Sequence, residues 1–385
     1  MKNTYLLFLS MFFLSSCSKS EDSSIPEIEQ IEEVVIEEVV IEEVVVENIF
    51  EGSVKLTTQL EVDKFGESEY TGISETLRIE GTDIKDLSGL NTLKSVKDLF
   101  ILDCENLTSL NGLENISGRL DLVILSDNDA LTSLSALNNI IEVLSLEIKG
   151  NDGLENLSDF DNLEKVGGNL IILANQGLKS IDGFKNIETV GGDFEIFNHY
   201  ELEVINGLQK LKSIGDKFWI AHNLKLISID NFKNLETVGS EIEIRRNELI
   251  TSLEGLEKIT ILKTLQISEN NALKSLKGLE NLKQVLSDLG IHNNATLETL
   301  EHLANLESVG FIMGVTAHDK LSTLDGLNNL KDFGSRFNLK LNSSLADFCA
   351  IKPLLESTED LSKVEIESNL FNPTPQEIIQ GNCTQ

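Results

Sequence analysis

The feature that most constrains the fold is a repeat of 23 or 24 residues that begins near residue 76. In each unit, apolar residues recur at every third position in a block of five. One such block consists of Leu154, Leu157, Phe160, Leu163 and Val166. The central residues of the blocks, from Leu90 to Ile351, mark twelve units. A period this constant is typical of a solenoid, in which each unit packs against the next.

Each unit also carries a short alternating strand before its block, and a polar position follows that strand. The polar position lies nine residues before the central apolar residue. A turn at this point would bury backbone groups, and an asparagine amide can satisfy both a donor and an acceptor there, so we predict a ladder of side chains along the stack. Its members are Cys104, Asn128, Asn151, Asn175, His199, Asn223, Asn247, Asn270, Asn294, His318 and Asn342.

Units of the form Asn-x-x-Leu-x-x-Leu-x-Gly-Leu-x-x-Leu-x-x-Val-Gly-Gly resemble those of the receptor L domain, a relative of leucine-rich repeats. The resemblance covers about residues 76–355, and residues 175–192 are nearly a full instance. It implies a mainly β, right-handed solenoid of about twelve units with short turns or 3-10 segments, capped at both ends. Similar domains bind ligands in growth-factor receptors and occur in bacterial surface lipoproteins. Leucine-rich repeats accept Asn or Cys at the polar position, so Cys104 is predicted to be a buried structural thiol.

Residues 1–16 have the layout of a secretory signal peptide. An apolar run follows Lys2 and is too short to span a bilayer as a mature helix. The run ends in Leu14-Ser15-Ser16-Cys17, which resembles the bacterial lipobox and implies lipidation of Cys17 and a membrane anchor. An ordinary signal peptide with a chance cysteine is the alternative. The acidic cluster that follows resembles the lipoprotein export signal of Bacteroidota and implies exposure on the outer face of the outer membrane.

Residues 17–51 are predicted to form an acidic stalk. They contain three copies of Ile-Glu-Glu-Val-Val, and a period of five matches neither a helix nor a strand. Residues 21–51 carry twelve acidic residues and no basic residue, so charge repulsion favours an extended chain. A helix induced by a partner is the alternative.

Both ends of a solenoid need caps. We predict an N-terminal cap at residues 52–75, in which residues 54–56 and 60–62 pair as strands. Phe65 and Tyr70 would cover the first unit. A C-terminal cap is predicted at residues 356–385, with a last strand at residues 364–366.

A disulfide between Cys349 and Cys383 is predicted to join the C-terminal cap to the last unit. Closing a loop of that length would stabilise the fold by roughly 3–4 kcal/mol. Two free thiols are the alternative, although an exported chain favours pairing.

Composition and motifs argue against catalysis and against nucleic acid as a partner. The net charge is -33, whereas phosphate binding needs a surplus of basic groups. None of the five histidines has a partner at metal-ligand spacing, and the chain lacks a glycine-rich phosphate loop and a nucleophile elbow. We therefore predict no catalytic residue, no metal site and no cofactor.

The residues two and four positions before the ladder point outward from each strand. They are apolar mainly in the first half of the solenoid and polar in the second. The candidate binding face consists of Phe100, Leu102, Ile124, Ile171, Leu173, Phe197 and Trp219. An exposed apolar stripe around the only tryptophan indicates a binding surface. The alternative is that this face is interior, or covered by residues 50–75.

These features favour a non-enzymatic cell-surface lipoprotein whose solenoid binds another protein in adhesion or recognition. A glycan-binding protein associated with nutrient uptake is an alternative, although stacking on sugars needs exposed aromatic rings and only 5% of residues are aromatic. A purely structural spacer is a third hypothesis and predicts no ligand.

Overall fold

A computed structural model describes residues 47–385 of the 385-residue chain. Within these residues the fold is mainly β, and nineteen strands form one sheet. Neighbouring strands of this sheet run parallel and pair residues from successive units. The predicted mainly β repeat architecture is confirmed.

The strands lie at short, regular intervals along the chain. In chain order they are β1 (Ile49–Phe50), β2 (Val54–Leu56), β3 (Gly72–Glu80), β4 (Ser95–Leu102), β5 (Gly118–Ser126), β6 (Ile140–Lys149), β7 (Lys165–Val166), β8 (Leu170–Leu173), β9 (Ser180–Ile181), β10 (Thr189–Val190), β11 (Phe194–His199), β12 (Val204–Ile205) and β13 (Ser213–Ile214). They continue as β14 (Phe218–Asn223), β15 (Thr237–Val238), β16 (Glu241–Arg245), β17 (Ile261–Leu262), β18 (Thr264–Ser268), β19 (Gln284–Val285), β20 (Leu289–His292), β21 (Ser308–Val309), β22 (Ile312–Thr316), β23 (Asp332–Phe333), β24 (Arg336–Lys340) and β25 (Val364–Glu367).

Helices are short and lie mainly at the two ends. The α-helices are α1 (Gln59–Gly66), α2 (Lys352–Ser357) and α3 (Pro375–Ile379). The 3-10 segments are Ser88–Leu90, Ser135–Leu137, Asp230–Phe232, Glu301–Leu303, Cys349–Ile351 and Leu361–Lys363.

One strand per unit forms the main row of the sheet, from β3 through β4, β5, β6, β8, β11, β14, β16, β18, β20 and β22 to β24. Equivalent residues face each other across this row: Phe194 pairs with Leu170 on one side and with Phe218 on the other. Because side chains alternate between the two faces of a strand, this register stacks inward residues on inward residues throughout.

Two-residue strands follow many of the apolar blocks and pair in the same parallel sense. β7, β10, β13 and β15 form one run that joins the main sheet at β6, and β17, β19, β21 and β23 form a separate sheet. β9 and β12 form a third, shorter pairing. Each unit therefore bonds to its neighbours at several points around the coil.

The interior is filled by the inward strand residues and by the apolar blocks, all of which are buried. Aromatic rings from adjacent units stack on one another: the centroids of Phe160 and Phe184 lie 5.2 Å apart with an interplanar angle of 5°. Offset stacking of this kind is a favourable arrangement for ring pairs.

The N-terminal cap differs from the prediction in one element. Residues 54–56 form β2 as predicted, but residues 60–62 lie in α1 and not in a strand. Thr58 caps this helix by accepting a hydrogen bond from Glu61 N, and the Glu61 carboxylate accepts one from Thr57 N. These bonds satisfy backbone donors that a helix start leaves free, so the segment folds as a helix.

Pairing with the solenoid also begins earlier than the predicted boundary at residue 51. Ile49 and Phe50 form β1, which pairs with β3, so the last residues of the predicted stalk belong to the sheet. The rings of Phe50, Phe65 and Tyr70 lie 5.2–5.9 Å from one another and pack against the core. This apolar cluster shields the first unit from water.

At the C-terminal end β25 pairs with β24, and α2 and α3 cover the last unit. The predicted disulfide between Cys349 and Cys383 is present, with a Cα–Cα distance of 4.9 Å. It ties the end of the C-terminal cap to the last unit of the solenoid.

The predicted signal peptide, Cys17 and most of the predicted stalk lie outside the described residues. Within residues 47–385, no helix is both long enough and apolar enough to cross a membrane.

Candidate binding face and its supporting ladder

In each unit from β4 to β24, a residue with left-handed backbone geometry lies one position before the ladder residue. The φ angles of these residues lie between 51° and 63°. The left-handed residues are Asp103, Asp127, Gly150, Ala174, Asn198, His222, Arg246, Glu269, Asn293, Ala317 and Leu341. This turn sends the next side chain into the core, which is why each ladder residue is fully buried.

The predicted ladder residues are joined by hydrogen bonds from each unit to the next. Asn223 illustrates the pattern: its backbone N–H donates to Asn247 Oδ1 (3.2 Å), and its Nδ2 donates to the Ile196 carbonyl (3.0 Å). Cys104 begins the series by donating its N–H to Asn128 Oδ1 (3.0 Å). Burial raises the pKa of the Cys104 thiol to about 11, so the group stays protonated at neutral pH.

His199 and His318 reproduce the two bonds of an asparagine with a ring. His318 Nδ1 accepts from Asn294 N–H (3.3 Å), and its Nε2 lies 3.0 Å from the Ile291 carbonyl, to which it donates. These partners require a neutral ring with its proton on Nε2. Burial lowers the pKa of both histidines, that of His318 to about 4, which keeps them neutral.

The ladder extends one step beyond the predicted residues. Asn342 N donates to Asn369 Oδ1 (3.0 Å), and Asn369 N donates to Asn372 Oδ1 (2.8 Å). Asn369 lies 27 residues after Asn342, so a strict period of 24 misses it. Asn369 could have been found from its spacing to the last strand. It lies five residues after the inward Val364, and the other ladder residues have the same spacing to an inward strand residue.

All seven residues of the candidate binding face lie on the outer face of the main sheet. They are half-buried in the structure that includes residues 47–75. They do not form one continuous stripe. Phe100 neighbours Ile124, but Glu147 and Lys149 of β6 separate this group from Ile171 and Leu173 of β8. The predicted face omitted these charged residues because only apolar positions were followed.

The structure brings Phe197 and Trp219 into contact and adds a ring that the prediction did not include. The centroids of Phe197 and Trp219 lie 4.9 Å apart, and those of Phe197 and His222 lie 5.0 Å apart. Burial is the main cause that lowers the pKa of His222, and Arg246 and Arg245 add to it. We call Phe197, Trp219 and His222 the aromatic cluster.

The second half of the outer face is polar. His292 Nδ1 lies 2.8 Å from Thr316 Oγ1, and burial lowers the pKa of His292. A Cβ atom on Gly290 would lie 2.0 Å from Gln266 Oε1, so glycine leaves room for side chains that lie across the strands. Within residues 47–385, no group of three or more His, Cys, Asp or Glu side chains is arranged to hold a metal ion.

Comparisons with known proteins find similarity among solved structures only. No family model and no curated protein matches the sequence. An internalin (inlF) from Listeria monocytogenes is 18% identical with a TM-score of 0.32, covering 85% of this chain and 87% of that one. A chain of the TLR13–ssRNA13 complex is 16% identical with a TM-score of 0.24, covering 82% of this chain and 61% of that one. Both are leucine-rich-repeat proteins.

Proposed function

We propose that this protein is a non-enzymatic module that binds another protein through the outer face of its main sheet. The observation that best supports this proposal is the aromatic cluster, in which large rings stay partly exposed on a sheet held rigid by hydrogen bonds to both neighbouring strands. Tightly packed aromatic side chains on a rigid surface are typical centres of protein–protein interfaces.

Replacing Phe197 and Trp219 together with Glu tests this proposal. Two charges at the centre of the interface should abolish partner capture, measured by cross-linking and pull-down from intact cells. The thermal unfolding transition should persist, because both side chains point out of the core. The matched control replaces Gln266 and Ser268 with Glu at the equivalent positions of β18, and it should capture the partner normally. Normal capture by the Phe197/Trp219 variant would contradict the proposal.

A glycan array run on the same preparations distinguishes the alternatives. Sugar binding that depends on Trp219 would favour the glycan-binding hypothesis over the protein-binding one. A glycan ligand is expected for a protein of nutrient uptake. A chain that captures neither class of ligand would be a structural spacer.

We also propose that the chain is a lipoprotein anchored through Cys17 and exposed on the outer face of the outer membrane. The apolar run and the Leu14-Ser15-Ser16-Cys17 segment support this placement. Replacing Cys17 with Ala should abolish labelling by a fatty-acid analogue and release the protein from membranes, whereas the neighbouring Ser18→Ala variant should stay anchored. Resistance of the anchored protein to protease added to intact cells would contradict surface exposure.

A further inference from the structure

The outer face carries a row in which apolar and acidic side chains alternate from strand to strand. Paired residues follow one another in the order Ile124, Glu147, Ile171, Glu195, Trp219 and Glu243, on β5, β6, β8, β11, β14 and β16. Adjacent strands lie about 4.8 Å apart, so successive carboxylates of this row repeat at about 9–10 Å along the solenoid axis. We call these six residues the alternating row.

The three carboxylates of the alternating row differ from those at the ends of the same face. Near the N-terminal end Glu80 forms ion pairs with Arg78 and Lys55. Near the C-terminal end Lys340 pairs with both Glu365 and Glu367. Within the described residues, Glu147, Glu195 and Glu243 have no basic group within 4.0 Å. The centre of the face therefore presents three carboxylates that form no ion pair within the described residues.

The surroundings make these carboxylates costly to leave unpaired. Glu195 and Glu243 are half-buried on either side of Trp219, and burial raises the pKa of each, with Asp193 and Glu241 adding to the effect. Two bases oppose this effect in part: Arg245 and then Lys217 lower the pKa of Glu243, and Lys217 lowers that of Glu195. Lys217 is exposed to solvent, and Arg245 pairs with Glu269. A cation brought against these groups would recover the interaction that burial has removed.

The ring between the two carboxylates adds a second attraction for the same kind of group. An indole face attracts Lys and Arg side chains through its electron-rich π system, and Trp is the strongest ring in this respect. Building on the proposed protein-binding function, we propose that the alternating row binds an extended, Lys- or Arg-bearing segment of another protein, running along the solenoid axis.

The spacing of the carboxylates specifies the conformation of that segment. A polyproline II chain advances about 3.1 Å per residue, so residues three apart lie about 9.3 Å apart on one side. This matches the repeat of Glu147, Glu195 and Glu243. A basic residue at every third position would place one cation at each carboxylate, and the residues between would lie over Ile171 and Trp219.

The single tryptophan of the chain makes binding directly measurable, because its fluorescence reports on this row alone. The full chain is titrated with synthetic peptides of repeating Pro-Pro-Lys. We expect these peptides to change Trp219 fluorescence, with a Kd at least about tenfold lower than that of a peptide of equal composition whose lysines are consecutive. Pro-Pro-Glu peptides should not bind, and added salt should weaken binding because the attraction is ionic.

The decisive variant is Glu195→Gln with Glu243→Gln, which removes two charges and preserves shape. It should raise the Kd for Pro-Pro-Lys at least about tenfold. The control Glu365→Gln with Glu367→Gln removes the same charge from the same face and should leave the Kd unchanged. The acidic residues 17–51 are present in every variant, so their contribution cancels.

Two results would overturn the inference: equal affinity of Pro-Pro-Lys for the native chain and the Glu195/Glu243 variant, or tighter binding of Pro-Pro-Leu than of Pro-Pro-Lys. The proposed protein-binding function can fail or hold independently of this inference. If the Glu195/Glu243 variant captures the cellular partner normally while the Phe197/Trp219 variant fails, protein binding stands and the cationic segment is wrong. If Pro-Pro-Lys binds as expected but no protein is captured from cells, the row's chemistry stands and the proposed function is wrong.

Discussion

At the scale of single residues, the ladder shows that hydrogen-bond geometry and not residue type defines the position. Asparagine, histidine and cysteine all occupy this position. Each is fully buried and follows a residue with left-handed backbone geometry. Asparagine and neutral histidine supply one acceptor and one donor, whereas the thiol of Cys104 supplies only weak bonds to Ile79 O and Leu102 O. Cys104 lies at the first rung of this series, where no earlier ladder residue needs its acceptor.

The histidines add a pH dependence that asparagine lacks. The pKa of His318 falls from 6.5 to about 4 on folding, so the unfolded chain takes up the proton first as pH decreases. Its stabilising contribution is complete above about pH 6.5 and declines as pH falls toward 4. The loss amounts to roughly 3 kcal/mol, since each pKa unit corresponds to about 1.4 kcal/mol. His199 acts in the same direction.

Replacing His199 and His318 with Asn should remove this term and keep the ladder bonded. Urea unfolding at about pH 7 and about pH 4.5 measures the free energy of unfolding of both chains. The native chain should lose at least about 2 kcal/mol more than the variant between these pH values. Carboxylates titrate in both chains, so they cancel in the difference. Parallel losses would mean that the histidines are not neutral in the fold.

At the scale of the element, the strand, turn and block of each unit could be predicted because every unit repeats the same burial pattern. The prediction failed where the repeat stops. Three alternating residues at 60–62 look alike in a strand and in one turn of helix, and the capping bonds of Thr58 decide between them. The broken stripe on the outer face had a different cause: Glu147 and Glu195 occupy outward positions that the apolar pattern does not report.

Close stacking of turns makes several glycines of the solenoid sensitive to substitution. A Cβ atom on Gly207 would lie 1.4 Å from the carbonyl oxygen of Gly183 in the preceding unit, so the two units would have to separate. We expect Gly207→Ala to lower the free energy of unfolding by roughly 2–4 kcal/mol, measured by urea denaturation.

Gly89 supplies the matched control for this substitution. A Cβ atom there would meet its nearest neighbours at 3.9 Å, an ordinary contact distance. Gly89→Ala should therefore change the free energy of unfolding by no more than about 0.5 kcal/mol. Equal destabilisation by the two substitutions would show that backbone freedom, and not close approach, requires glycine at position 207.

At the scale of the whole molecule, the charge has a simple arrangement. Many lysines pair with an acidic residue of the preceding unit, as Lys185 does with Asp161, Lys212 with Glu188 and Lys331 with Glu307. Exposed pairs of this kind contribute little stability each. These pairs do occupy many of the basic side chains. The unpaired acidic side chains give the chain its net charge of -33, which at long range attracts cationic partners and repels polyanions.

The uniform register of the main sheet has a consequence for how such a chain can evolve. A duplicated or deleted unit leaves each remaining ladder residue beside another of its kind, so the core stays intact. Such a change moves all later units along the solenoid axis by one strand spacing, about 4.8 Å. It does not exchange the inner and outer faces of the strands. An insertion of one residue within a strand would exchange those faces. Copying whole units therefore changes the distance between surface groups such as Glu195 and Glu243 while the fold is inherited unchanged.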